Sequence, residues 1–237
     1  MSQDRPELQY SVKEVCRGMS SPTYSDFQRL KRIIRYLKGA PRAVFAWPFQ
    51  SAQSEVRVYS DSDWAGCKRT RKSTQGGIIM YGNHCIKSYS TTQSTIALSS
   101  AEAEYYVLVK AASCALGVKS MYSDLGHSIQ INLHTGSSPA KSIASRRGLD
   151  RLRHVAVHLL WLREKVAASE LQLFKINGKA NPSDLLTKHL SQQDMHKYMK
   201  FMHYSIQNGR AVACPELAKY CLMFIYTCIC VYMYTYS

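Results

Sequence analysis

Carboxylates stand in this sequence where predicted strands end and predicted helices begin. Asp61 and Asp63, in VYSDSDWAG, stand at the C-terminal end of a predicted strand. Because side chains alternate along a strand, both point to the same side of it. Glu102 and Glu104 lie in the first turns of one predicted helix, and Asp184 lies at the start of another. Carboxylates that converge repel one another unless divalent cations neutralise them, and two cations held by Asp and Glu oxygens promote in-line attack on a phosphodiester. The set therefore points to metal-dependent phosphodiester chemistry.

Most of these carboxylates also have an ordinary structural explanation. Acids at a strand end form turns or cap helices. Glu102 completes a capping box with Ser99, and Asp184 favours the dipole at a helix N-terminus. Glu104 has no such role. Helical periodicity places Glu102 and Glu104 on opposite sides of the apolar stripe, so it does not choose between them.

The chain carries a large positive charge. Its 237 residues include 31 Lys and Arg against 16 Asp and Glu, a formal net charge of +15. Such a surplus favours a polyanionic partner, nucleic acid first and an acidic membrane surface second, over plain solubility. A hydrophobic fraction of 46% supplies a packed core and argues against wholesale disorder.

The cysteines indicate neither a disulfide framework nor a zinc site. Eight are present, but they are scattered or lie in the last tail, without paired CxxC motifs. The N-terminal stretch is polar and charged, so no signal peptide is predicted. We expect reduced thiols and an intracellular protein.

Hydrophobic periodicity predicts one mixed α/β domain of about 140 residues, with the element order β-β-β-α-β-α-β-α. A helix precedes it, beginning with a capping box of Thr23 and Asp26. The outer face of that helix is basic, which either solvation or contact with phosphates explains. The predicted strands are 55–60, 76–82, 85–91, 129–134 and 171–176, and the predicted helices are 23–38, 99–116, 153–168 and 182–190.

Four blocks, in order, cover most of residues 55 to 190: YSDSDWAGCKRTRKSTQGGIIMYG, SYSTTQSTIALSSAEAEYYVLVKAA, IASRRGLDRLRH and NPSDLLTKHL. They resemble the ribonuclease H domain in the C-terminal part of copia-type LTR retrotransposon Pol polyproteins. The upstream stretch DRPELQYSVKEVCRGMSSPTYSDFQRLKRIIRYLKG resembles the end of the reverse transcriptase module and its connection. The paired aspartates of the polymerase are absent, so we expect a fragment or a degenerate copy.

The resemblance implies an RNase H-like fold, a five-stranded mixed sheet flanked by helices. It divides the chain into a remnant of the reverse transcriptase and connection region at 1–52, an RNase H-like domain at 53–192, a C-terminal helical extension at 193–219 and an apolar tail at 220–237 outside the fold. The tail is uncharged and near the lower length limit of a membrane span. Its richness in Tyr and Cys favours a decayed reading frame over a tail anchor.

The resemblance also implies a chemistry. In the family, four acids bind two Mg²⁺ or Mn²⁺ ions and cut the RNA strand of an RNA·DNA hybrid. By motif, three of them fall on Asp61, Glu104 and Asp184. The remaining acid belongs at the end of the fourth strand, where this chain has Gly136. We therefore expect a weak or inactive nuclease. The family holds two ions, and this chain would hold two, one or none. The alternative is a noncatalytic hybrid-binding module or a relic without function.

Basic residues predict how the partner is gripped. Contacts to phosphates do not depend on base sequence, which suits a protein that accepts any hybrid. The reverse transcriptase module of an intact Pol is a second expected partner, and a membrane is not expected. The resemblance implies a location in the cytoplasm, within a virus-like particle, or in the nucleus. The predicted phosphate contacts are Lys68, Arg69, Arg71, Lys72, Arg146, Arg147, Arg151 and Arg153.

Overall fold

A computed structural model of the chain describes residues 3–146 and 159–209. Three predicted phosphate contacts, Arg147, Arg151 and Arg153, lie outside the described residues, as does the apolar tail at 220–237. In the described ranges, no helix combines the length and the apolar character that a membrane crossing needs.

A five-stranded mixed sheet forms the centre of the fold, as predicted. Its strand order is β4-β3-β2-β5-β6. β2, β3 and β4 form an antiparallel meander, whereas β5 pairs in parallel with β2 on one side and with β6 on the other. The strands are β2 (Glu55–Asp63), β3 (Thr74–Tyr81), β4 (His84–Thr92), β5 (Gln130–Thr135) and β6 (Leu171–Lys175).

Helix α3 (Ser100–Asp124) covers one face of this sheet. It begins where the Ser99 hydroxyl accepts a hydrogen bond from the backbone N–H of Glu102. The sequence predicted an end near residue 116, but the helix continues through Gly117 because Val118 is buried and the ring of Tyr122 lies 4.9 Å from that of Tyr81. Packing thus outweighs the low helix propensity of glycine. Two shorter helices, α4 (Ser138–Ser145) and α5 (Trp161–Ala167), complete this layer.

The second face of the sheet packs against the C-terminal part of the described chain. Tyr59, Ile78 and Met80 form a core cluster with Leu186 and Met202. The helix predicted at 182–190 is instead a 3₁₀ turn, Pro182–Leu186, followed by α6 (Gln192–Phe201). Pro182 stands at the start of that turn, and the backbone N–H of residue 184 bonds to the carbonyl of residue 181 in the three-residue spacing of a 3₁₀ helix.

The segments that flank the predicted nuclease domain meet each other. Strand β1 (Arg42–Phe45) pairs antiparallel with β7 (Tyr204–Gln207), so the C-terminal extension contains a strand besides α6. Upstream lie α1 (Pro6–Cys16) and α2 (Tyr24–Gly39), and the predicted Thr23–Asp26 capping box of α2 is present. Helix α1 packs on β4 and on the 182–186 turn. Residues from both ends of the described part of the chain therefore lie against the central sheet.

Candidate active site

Asp61 lies near the end of β2, beside the strand end that carries Gly136. The parallel register pairs Ser60 with Thr135, so the next residues along the two strands are neighbours. Asp61 is 6% exposed, and the Thr187 hydroxyl donates a hydrogen bond to its Oδ2. Strand alternation thus brings a buried carboxylate to the edge where two parallel strands end.

Asp184 reaches the same edge from the 182–186 turn. The side chain of Asn181 caps this turn by accepting a hydrogen bond from the Ser183 N–H. The amide of Asn181 also donates to the Ser60 carbonyl at 2.9 Å, which ties the turn to β2 directly before Asp61. Burial, followed by the charge of Asp61, raises the pKa of the Asp184 carboxyl.

The structure distinguishes the two glutamates that periodicity left equivalent. Glu102 accepts hydrogen bonds from the Leu98 N–H and the Tyr106 hydroxyl, both within its own part of the fold. Glu104 Oε1 instead accepts from the Ser62 backbone N–H at 3.2 Å, across the gap between α3 and β2. Glu104, and not Glu102, therefore belongs to the edge that carries Asp61.

The charges at this edge perturb one another. Burial, followed by repulsion from Asp61, raises the pKa of the Glu104 carboxyl to about 8. Lys188 stands among the acids, with its Nζ 3.2 Å from Asp61 Oδ2 and 2.8 Å from Asp184 Oδ1. Burial alone would lower the pKa of Lys188, but Asp61 and Asp184 outweigh it and raise that pKa to about 12. Asp61, Glu104, Asp184 and Lys188 thus form one electrostatic cluster, hereafter the acidic cluster.

Gly136 has no side chain where the resemblance implies a fourth carboxylate. Its φ is not in the left-handed region, so the backbone does not require glycine there. An added Cβ would meet only the Asn181 amide nitrogen, at 3.9 Å. The Gly136 carbonyl accepts a hydrogen bond from Lys175 Nζ. The position has room for a carboxylate next to Asp61.

The oxygen donors of the acidic cluster match the chemistry of Mg²⁺ or Mn²⁺. Glu104 Oε2 is buried and accepts no hydrogen bond from any residue that the structure describes, which leaves it available to a cation. Across 3–146 and 159–209, however, no three His, Cys, Asp or Glu side chains are arranged to hold a metal ion. The donor types fit a divalent cation, while Lys188 fills the space between Asp61 and Asp184.

The predicted phosphate contacts that the structure describes lie mostly in the loop from β2 to β3. Lys68, Arg69 and Arg71 are exposed there, and Lys72 is half-buried. Arg69 Nη2 donates a hydrogen bond to the Arg17 carbonyl at 3.1 Å, so the loop contacts the C-terminal end of α1. Arg146, exposed directly after α4, lies in a different part of the fold.

Comparison with known proteins identifies the family. No protein-family model matches the chain. The retrovirus-related Pol polyprotein from transposon RE1 of Arabidopsis thaliana is 31% identical over 193 residues, 79% of this chain and 13% of that protein. The corresponding polyprotein from transposon TNT 1-94 of Nicotiana tabacum is 29% identical over 186 residues, 78% of this chain and 14% of that protein. The chain belongs to the copia-type Pol family. It spans about an eighth of the length of these relatives.

Two solved ribonuclease H structures align with this Pol segment. The alignment with the N-terminal RNase H domain of Rv2228c from Mycobacterium tuberculosis covers 62% of this chain and 98% of the solved chain, with a TM-score of 0.41 and 12% identity. The alignment with LC11-RNase H1 in complex with RNA/DNA hybrid covers 56% of this chain and 94% of the LC11-RNase H1 chain, with a TM-score of 0.39 and 16% identity. At this level of similarity, the fold assignment of the Pol segment rests on its own strand order.

Sequence reasoning missed the groups that hold the acids of the Pol segment in place. Asn181, Thr187 and Lys188 had no predicted role, although all lie in or beside the block NPSDLLTKHL. The spacing of Asp184 and Lys188, four residues apart, was the available signal, because such residues face each other across one turn. The contacts of Asn181 to β2 and of Thr187 to Asp61 are long-range, and no local pattern indicates them.

The raised pKa of Glu104 predicts how stability depends on pH in the absence of metal. Between the unfolded value of 4.5 and the folded value of about 8, the folded state binds more protons than the unfolded state, so stability falls as pH rises through this window. The raised pKa of Asp184 also makes stability fall as pH rises. The raised pKa of Lys188 affects stability only at higher pH, above this window. We expect Glu104→Gln to flatten the decline between pH 5 and pH 8, measured as thermal midpoints in EDTA. An equal decline in both proteins would contradict the assignment of Glu104.

Proposed function

We propose that this Pol segment binds RNA·DNA hybrid and that its cleavage of the RNA strand is impaired. The observation that carries the proposal is the gathering of Asp61, Glu104 and Asp184 at one edge of the sheet, with Gly136 beside Asp61. Kinship with copia-type Pol and the basic loop at 68–72 support it further. The expected cofactor is Mg²⁺ or Mn²⁺.

The chain's own residues would position the reaction. The Thr187 hydroxyl holds Asp61 in place, and the Asn181 amide holds the turn that bears Asp184. The Ser62 N–H orients Glu104. Divalent cations, when bound, would stabilise charge that develops on the phosphate and activate the attacking water. With Gly136 in place of a carboxylate, one anionic oxygen donor is missing from the ligand set, which loosens the geometry of attack.

A noncatalytic hybrid-binding module is the second candidate. Two observations favour it: Gly136 supplies no carboxylate, and Lys188 occupies the space between Asp61 and Asp184. The two candidates agree on binding and differ on residual cleavage, so a cleavage assay with Mg²⁺ and Mn²⁺ separates them.

Binding of hybrid is expected to weaken steeply with salt and to depend little on sequence, because contacts to phosphates release condensed counterions. Arg69→Gln with Arg71→Gln should reduce the slope of log affinity against log salt by about two, roughly one for each guanidinium that no longer binds a phosphate. Fluorescence anisotropy with labelled hybrids of unrelated sequence at several salt concentrations measures this slope.

The basic face of α2 provides the matched comparison. Lys31→Gln with Arg35→Gln removes the same charge from two exposed positions on that helix. We expect those changes to leave the slope nearly unchanged. A slope that responds to the α2 pair and not to the loop pair would place the phosphate contacts on α2 instead.

A further inference from the structure

The Lys188 ammonium bridges two carboxylates of the acidic cluster. Its Nζ lies 3.2 Å from Asp61 Oδ2 and 2.8 Å from Asp184 Oδ1. The Lys188 side chain is 45% exposed, whereas the side chains of Asp61 and Asp184 are 9% and 15% exposed. The ammonium therefore enters from the solvent side into a gap between two nearly buried acids.

The fold fixes the backbone that delivers this ammonium. The Ser90 hydroxyl donates to the Leu186 carbonyl at 2.6 Å. Gly76 permits the close approach, because a Cβ there would lie 2.7 Å from Leu186 Cβ. Thr187 is 1% exposed and donates to Asp61. The backbone directly before Lys188 is held in this way, and the Lys188 N–H donates to the Asp184 carbonyl at 3.1 Å.

The position of the ammonium excludes a cation that bridges the same oxygens. A divalent ion held by both acids would need the space between their carboxylates. An ammonium nitrogen at hydrogen-bonding distance from the same two oxygens occupies that space. It also offsets part of the repulsion among Asp61, Asp184 and Glu104, which otherwise opposes the folded state without metal.

We propose that Lys188 is a resident counter-ion that holds Asp61 and Asp184 together without metal and competes with a divalent cation for them. The proposal rests on the metal-binding role proposed above for these acids. Lys188 thus acts as a positioning residue. Binding of the cation displaces its ammonium towards solvent.

Lys188→Met tests the competition on the full chain. We expect the dissociation constant for Mn²⁺, measured by titration calorimetry, to fall by about five- to tenfold, the size of a modest coupling between two ligands of one site. In EDTA, the same variant should melt at a lower temperature, because the acids lose their counter-ion. Lys188→Arg should keep the metal-free melting temperature. Lys87→Met, which removes an exposed lysine from β4, is the matched control and should change neither quantity.

Unchanged or weaker Mn²⁺ binding in folded Lys188→Met would overturn the competition while leaving the metal site of the unmodified chain in place. No Mn²⁺ binding in either protein would overturn the metal site itself, and this inference with it. If Lys188→Met does not fold, a Mg²⁺ titration of the unmodified chain followed by NMR of the lysine side chains decides the question. The Lys188 signal should shift and the Lys87 signal should not; a Lys188 signal that stays in place would overturn the proposal.

Discussion

Gly136→Asp is expected to raise the rate of RNA·DNA hybrid cleavage by on the order of 10²–10³-fold, the effect of restoring one electrostatic stabiliser in an active site. The substitution places a carboxylate at the end of β5, next to Asp61 on β2. A further anionic oxygen there would strengthen the hold on a divalent cation and fix the geometry of attack. Single-turnover cleavage of a labelled hybrid in Mg²⁺ and in Mn²⁺ measures the gain.

The local geometry favours this rescue. The φ of Gly136 lies outside the left-handed region, so aspartate adds no backbone strain. The nearest atom to the added Cβ is the Asn181 amide nitrogen at 3.9 Å, an ordinary contact distance. Lys175 donates to the Gly136 carbonyl and lies near enough to stabilise the new carboxylate.

Two controls make the rescue specific. Gly136→Asp combined with Asp61→Asn should lose the gain in cleavage rate, because the new carboxylate acts together with Asp61. Cleavage that survives the loss of Asp61 would come from a contaminating nuclease. Gly117→Asp adds the same charge at an exposed position of α3, with no atom within 4 Å of the added Cβ. It should not raise cleavage, and a gain of similar size there would contradict the role of position 136.

Glu7→Ala is expected to destabilise the whole fold by about 3–5 kcal/mol, the cost of removing one partner from a buried ion pair. Arg5 Nε lies 2.7 Å from Glu7 Oε1, with side-chain exposures of 9% and 0%. The Tyr36 hydroxyl also donates to Glu7 Oε1, which links α1 to α2. Without Glu7, the Arg5 guanidinium would remain buried without its carboxylate.

This prediction tests the domain boundaries proposed from the sequence. Pairing of β1 with β7 and packing of α1 on β4 suggest that residues 3–45 fold together with the central sheet. Hydrogen exchange of the β2 and β5 amides in Glu7→Ala measures whether the loss reaches that sheet. Glu14→Ala, which removes a carboxylate that is 25% exposed, should cost about 1 kcal/mol or less. Unchanged protection of β2 and β5 in Glu7→Ala would support the division at residue 52.

The sequence predicted the strands well because their signals are local. Alternation of apolar residues marked β2 at Val56 and Val58, and both side chains are fully buried. The capping box at Thr23 and Asp26 marked the start of α2 correctly. Helix ends were harder to predict. Helix α3 runs eight residues beyond its predicted end, because the contact of Tyr122 with Tyr81 on β3, and not the helix propensity of residues 117–124, stabilises the extension.

The acidic cluster could be predicted only in part. The resemblance to copia-type Pol selected Asp61, Glu104 and Asp184, and the structure places them at one edge of the sheet. Lys188 and Thr187 were missed because their contacts to Asp61 join residues more than 120 positions apart in the chain. The pairing of β1 with β7 was missed for the same reason. Short strands near the two ends of the described chain carry no local sign that they are partners.

The central claim is that the unmodified chain binds hybrid and barely cleaves it. The most direct measurement is the rate at which the unmodified chain cuts the RNA strand of a hybrid that it binds, in Mg²⁺ and in Mn²⁺, beside Asp61→Asn under the same conditions. We predict saturable, salt-sensitive binding by both proteins and a cleavage rate of the unmodified chain that exceeds the Asp61→Asn background only slightly. Efficient cleavage by the unmodified chain that Asp61→Asn abolishes would contradict the claim, because it would mean that Gly136 costs the site nothing.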